Sequence, residues 1–257
     1  MNTARRSQCC LSYWHPRLEG LPSPKTRIVR TPGGCDLVGL LDGERPSGFD
    51  AFLTDLSQAA LDIGSTPVFL RTGHTSAKHY WTDTCFVDDL DKLDSHVFNL
   101  VEFSFLVDLM GLPVEIWAVR EFLSIEHNFN AFKSMPIGQE FRFFVDKGDI
   151  TYVQPYWPPF AIEDYRPSSP TWRDDLASIS TMAGTDFEQA RDLALQVAER
   201  FAGDGEWSVD VCKVVGRGWY VTDMAVGEMS FRWSPEDQTD KGDPGHELLP
   251  DHAEAAP

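Results

Sequence analysis

Apolar residues recur at helical spacing from Phe49 onward. Phe49, Phe52, Leu53, Leu56, Ala60 and Ile63 share one face, and Gly64 follows, which predicts an amphipathic helix with a glycine stop. Pro67–Arg71 (PVFLR) predicts a strand, and Thr72–Lys78 (TGHTSAK) a loop of small residues. A second helix is expected after Ser95, running to Met110 before Gly111, and Glu115–Leu123 is strand-like. Glu140–Asp146 and Ile150–Tyr156 flank Lys147-Gly148-Asp149 and predict a hairpin. Thr185 and Glu188 have the spacing of a capping box. They would open a helix with the stripe Phe187, Ala190, Leu193, Ala194, Val197 and Phe201, closed by Gly203. Trp207–Val215 and Trp219–Met224, joined through Gly216-Arg217-Gly218, predict a last hairpin.

This order lacks regular alternation of strand and helix, which argues against a doubly wound parallel sheet. The expected class is α+β, with mixed, largely antiparallel sheets. Ahead of these elements, Trp14-His15-Pro16 and Leu21–Thr26 predict an extended segment over residues 1–30, with Arg27–Arg30 as an edge strand. Residues 234–257 carry no periodicity and are expected to be an acidic, disordered tail.

The chain has 257 residues, enough for one large domain or two lobes sharing a site. The most apolar stretch, Phe103–Val119, is broken by Asp108, Pro113 and Glu115. It falls short of the ~18 residues a membrane helix needs. Arg5 and Arg6 are not followed by an apolar leader. Five cysteines without a CxxC pair point to a reducing, cytoplasmic setting. His74, His79 and Cys85 match no usual zinc spacing. The net charge is −18. Residues 1–30 carry +5 and residues 234–257 carry −6, which leaves −17 on the body. Such a body repels a phosphate backbone, so broad nucleic-acid binding is not expected.

Four stretches could carry chemistry. The TGHTSAK loop would let backbone N–H groups approach phosphate, with Lys78 and Arg71 supplying charge. It lacks the Walker A pattern, and a structural loop is the plainer alternative. In the last hairpin, a two-residue turn at Gly216-Arg217 places Asp210 opposite Asp223, and a three-residue turn places them on a diagonal. Facing carboxylates repel, which would raise one pKa unless a cation such as Mg²⁺ intervenes. Two exposed acids on different faces is the other reading. Val119–Leu123, followed by Glu126, could offer backbone groups to a purine and a carboxylate to a ribose, or be a buried strand edge. In Gln139–Arg142, Glu140 and Arg142 share a strand face, where Arg142 could stabilise developing charge or simply pair within the sheet.

The order of these stretches resembles the ATP-grasp superfamily, most of all its RimK-related branch in bacteria and phages. It is also similar to the eukaryotic cell-division-cycle ATP-grasp proteins that assist assembly of a translation initiation factor. LRTGHTSAKHYW, VREFLSIEHNF, QEFRFFVDKGDI and WSVDVCKVV…WYVTDMA carry the resemblance across about residues 67–231. It implies an ATP-grasp fold of two α+β lobes, about 31–118 and 119–233, with the nucleotide between them. Arg71, Ser76 and Lys78 would then hold ATP phosphates, Glu121, Phe122 and Leu123 would line the adenine slot, and Glu126 would meet the ribose. Arg142 and Lys78 would act at the transferred phosphate. Asp210 and Asp223 would hold Mg²⁺. The family's usual Asn two residues after the second acid is Ala225 here, with Glu228 as a possible substitute ligand. The implied reaction joins a carboxylate to an amine through an acylphosphate, on a small-molecule, peptide or protein acceptor. The alternative is an ATP-binding assembly chaperone or adaptor without turnover.

Overall fold

The structure, a computed structural model, describes residues 3–64, 66–107 and 111–234. Helices α1 (Thr3–Gln8) and α2 (Leu11–Trp14) run into a 3-10 turn, His15–Leu18. Then come β1 (Thr26–Arg30), α3 (Phe49–Ile63), β2 (Val68–Thr72), β3 (Phe86–Val87), α4 (Leu93–Leu106) and β4 (Ile116–Glu121). The second half holds β5 (His127–Ala131), β6 (Met135–Gly138), β7 (Glu140–Asp146) and β8 (Asp149–Pro155). It continues with α5 (Phe160–Glu163), α6 (Trp172–Ile179), α7 (Gly184–Phe201), β9 (Trp207–Val214) and β10 (Gly218–Val226). The helix end expected at Met110 and tail residues 235–257 lie outside the described residues.

One sheet has the order β1-β4-β2-β3, a second β10-β9-β7-β8, and β5 pairs with β6 alone. Every described strand pair is antiparallel. The first sheet therefore takes β1 from the leading segment and β4 from across residue 118. Its core side packs Val29, Leu70, Trp117 and Val119 against Phe52 and Leu56 of α3 and Val97 and Leu100 of α4. The second sheet packs Phe141, Phe143, Val209 and Val211 against the α7 stripe. Because strand side chains alternate, Phe69, Arg71 and Arg120 fall on the opposite face of the first sheet, and Glu140, Arg142, Asp210 and Cys212 on that of the second. The polar chemistry is thus turned away from both apolar cores.

Two local expectations are corrected, and one hairpin is added. The leading segment is helical at its start, not extended. Leu11, Trp14 and Leu18 sit at i, i+3 and i+7 and are buried in the second core. Pro16 falls in the first turn of the 3-10 segment, where its missing N–H costs no bond. The capping box does not form. Helix α7 begins at Gly184, so the N-cap position falls on Ala183, which has no side-chain oxygen. The β5–β6 hairpin carries no sequence signal, because Phe132, Lys133 and Ser134 take the left-handed conformation that glycine or asparagine usually announces.

The last hairpin departs from the two-residue turn in an instructive way. Val214 pairs with Gly218, so the loop has three residues. A bulge between Val221 and Asp223 then shifts the register and restores Asp223 opposite Asp210. Trp219 and Val221 face the α7 core, as do Met224 and Val226 beyond the bulge. Strict alternation would send Asp223 into that core. The extra residue, Thr222, turns Asp223 to the side of Asp210.

Candidate functional site

A cleft with about 120 Å³ of free space lies between the two sheets. Phe69 and Arg71 line it from β2, Arg120 and Glu121 from β4, and Phe122, Leu123 and Ile125 from the linker that follows. Ser76, Lys78 and Trp81 come from the loop region after β2. Glu140, Cys212, Thr222 and Asp223 close the second-sheet side. Met135, Pro136 and Trp157 also line the cleft, and Trp81, Trp157 and Met135 belong to a cluster with Phe129, Phe132 and Trp172.

The structure brings Arg71, Ser76, Lys78, Glu121, Phe122, Leu123 and Asp223 to this one cleft. Arg142 and Asp210 lie just behind its floor as a two-pronged pair, with Nε and Nη2 at 2.7 and 2.8 Å from the carboxylate oxygens. Two residues stand apart. Glu126 is directed to Lys213 at 3.4 Å, and Glu228 is 59% exposed and faces Arg5 at 3.7 Å. Neither lines the cleft. Among the described residues, no group of three His, Cys, Asp or Glu side chains is placed to hold a metal ion.

Apart from Arg120, the acids and bases of the cleft are already paired. Arg71 is buried on β2 and donates from Nη1 to Asp223 Oδ1 at 2.8 Å. Lys78 Nζ is 3.6 Å from Glu140 Oε1 and 3.8 Å from the centre of the Tyr156 ring. Arg217 holds Glu121 at 2.5 Å, and the Lys25 N–H donates to its other oxygen at 3.2 Å. The expected repulsion between Asp210 and Asp223 is therefore absent. Burial pushes the Asp223 pKa up, but Arg71, assisted by Arg120 and Lys78, brings it below its ordinary value. The loop itself is more occupied than its sequence suggests. Thr72 Oγ1 accepts the N–H groups of His74 and Thr75, and Thr75 Oγ1 accepts that of Ala77. Lys78 is only 23% exposed.

Glu140 is shifted in the opposite sense to Asp223. Burial raises its pKa to about 6, against the pull of Lys78. A carboxyl that binds its proton more tightly when folded lends stability below the unfolded value near 4.5 and loses it as pH rises through about 6. Measured against Glu140→Gln by urea unfolding, wild-type stability should fall by about 1–2 kcal/mol from pH 4.5 to pH 6.5. A flat difference would show that Glu140 titrates normally.

Magnesium commonly binds through one or two carboxylates together with substrate phosphates. Asp210 and Asp223 offer that donor set on neighbouring strands, while Ala225 offers none. The residues fit one such ion held jointly with phosphate. Arg120, Glu140, Trp81 and Cys212 are cleft residues to which the sequence reading assigned no ligand role. Only the β4 and β7 alternation could have indicated the first two.

The architecture is α+β, with antiparallel sheets. No family model matches the sequence, and no curated protein matches it. Among solved structures, the chain is similar to Cdc123 from Schizosaccharomyces pombe. The C-terminally truncated form aligns at TM-score 0.54 and 14% identity, over 88% of this chain and 86% of that one. A second Cdc123 structure from the same yeast aligns at 0.51 and 13%, with the same coverage. D-alanine–D-alanine ligase from Bacillus anthracis, complexed with ATP, aligns at 0.44 and 12%, over 86% of this chain and 55% of that one.

Proposed function

We propose that the cleft binds ATP with Mg²⁺, and that the protein is a carboxylate–amine ligase acting through an acylphosphate. The observation that carries this reading is the convergence of Arg71, Lys78 and Asp223 on one cleft, with the Arg142–Asp210 pair on the strands next to Asp223. The linker Glu121–Leu123 forms another wall of the same cleft. Arg71 and Lys78 would take phosphate oxygens, and the linker would seat the base. Asp210 and Asp223 would hold the ion, which supplies positive charge to the phosphates. In exchange, each cation would trade a carboxylate for phosphate, so little charge need be desolvated anew. A carboxylate oxygen of the acceptor would attack the γ-phosphorus as ADP leaves, and an amine would then displace phosphate. Arg142 would steady the charge that develops. Glu126 and Glu228 have no part in this arrangement as folded.

The second reading is an ATP-binding assembly chaperone or adaptor, and Ala225 at the usual Asn position favours it. ADP release separates the two. Full-length protein with Mg·ATP should release ADP only when an acceptor from a panel of amino acids and short peptides is added. ATP binding with no acceptor-dependent release across such a panel supports the adaptor.

A further inference from the structure

Among the described residues, Arg120 is the cation of the cleft that has no ion-pair partner of its own. It stands on β4, opposite Phe69 on β2, is 3% exposed, and lines the cleft. Its Nε donates to Thr26 Oγ1 at 3.3 Å and its Nη1 to the Thr222 carbonyl at 2.5 Å. Nη2 is buried without a hydrogen-bond partner. The neighbouring cations differ. Arg71 has Asp223, Lys78 has Glu140, Arg142 has Asp210, and Arg217 has Glu121. Among the described residues no carboxylate forms an ion pair with Arg120, and Asp223 is committed to Arg71. Other groups beside it do not neutralise it. Trp14 presents a ring 6.0 Å from its guanidinium carbon, and the half-buried His15 has its pKa lowered by burial and by Arg120 itself.

A buried guanidinium without an ion-pair partner, and with an unbonded N–H, is costly, and an oxyanion ligand offsets that cost through charge-assisted hydrogen bonds. Its place in the fold narrows the ligand. Arg120 directly precedes the linker Glu121–Leu123 and bonds the residue directly before Asp223. It therefore lies between the stretch proposed for the base and the acid proposed for the ion. The part of a nucleotide that spans those two is its phosphate chain. Resting on the nucleotide reading above, we propose that Arg120 is a third phosphate-binding residue, beside Arg71 and Lys78, and the one that gives the cleft its net affinity for a polyanion.

Calorimetric titration of the full chain with ATP and with adenosine tests this. Arg120→Met should weaken ATP binding at least tenfold and leave adenosine binding unchanged. Arg120→Lys keeps the charge but loses the planar fork, and should weaken ATP several-fold with adenosine again unchanged. It serves if the methionine variant fails to fold. Wild-type ATP affinity in whichever variant folds overturns the proposal while leaving the nucleotide reading intact. Equal loss of ATP and adenosine also overturns it, because Arg120 then only shapes the cleft. A wild-type protein that binds neither ligand overturns the nucleotide reading itself.

Discussion

Asp210→Ala should destabilise the nucleotide-free protein by about 3–5 kcal/mol, the usual cost of leaving one partner of a buried ion pair behind. Asp210 is 4% exposed and Arg142 14%, and two hydrogen bonds join them. The remaining Arg142 guanidinium would keep only the Phe231 carbonyl, at 3.2 Å, and the Tyr156 ring. On the scale of a domain this size, the melting temperature should drop by about 10 °C. Adding Arg142→Met should restore part of the loss, because the orphaned charge is gone. Additive losses in the double variant would mean that the two side chains act independently.

The second large effect concerns Asp223. Its sign in the nucleotide-free protein is opposite to what facing carboxylates suggest. Asp223→Asn removes the charge partner of buried Arg71, not a repulsion, so it should cost about 1–2 kcal/mol. The cost is smaller than for Asp210 because Asp223 is 40% exposed and asparagine can still accept from Arg71. The same variant should lose the Mg²⁺-dependent part of ATP stabilisation. At 100 times the dissociation constant that stabilisation amounts to about 2.7 kcal/mol. Thermal melts with ATP, with and without Mg²⁺, read both effects. A variant that keeps the full Mg²⁺-dependent shift would remove Asp223 from the ion site.

Much of the frame was legible because it rests on local periodicity. The α3 and α7 stripes and the β7–β8 hairpin follow from spacing alone. The facing of Asp210 and Asp223 is what a two-residue turn implies, whereas the three-residue loop alone would set them on a diagonal. Two irregularities, a longer loop and the Thr222 bulge, cancel, and a bulge leaves no composition signal. The helical start was hidden because a proline that disfavours helix interiors is tolerated at a first turn. The ion pairs were illegible for a different reason. Arg71–Asp223 joins positions 152 residues apart across the two sheets, and Arg142–Asp210 joins the paired strands β7 and β9, 68 positions apart, so neither pair shows in local spacing. The closure of the two sheets on each other also explains why Lys78, in a loop of small residues, ends half-buried against Glu140 and Tyr156.

The most direct test of the central claim is calorimetric titration of the wild-type chain with ATP, in the presence and absence of Mg²⁺. The account predicts saturable one-to-one binding that tightens when Mg²⁺ is present, with the Mg²⁺ effect absent in Asp223→Asn. Failure to bind ATP under either condition would contradict it.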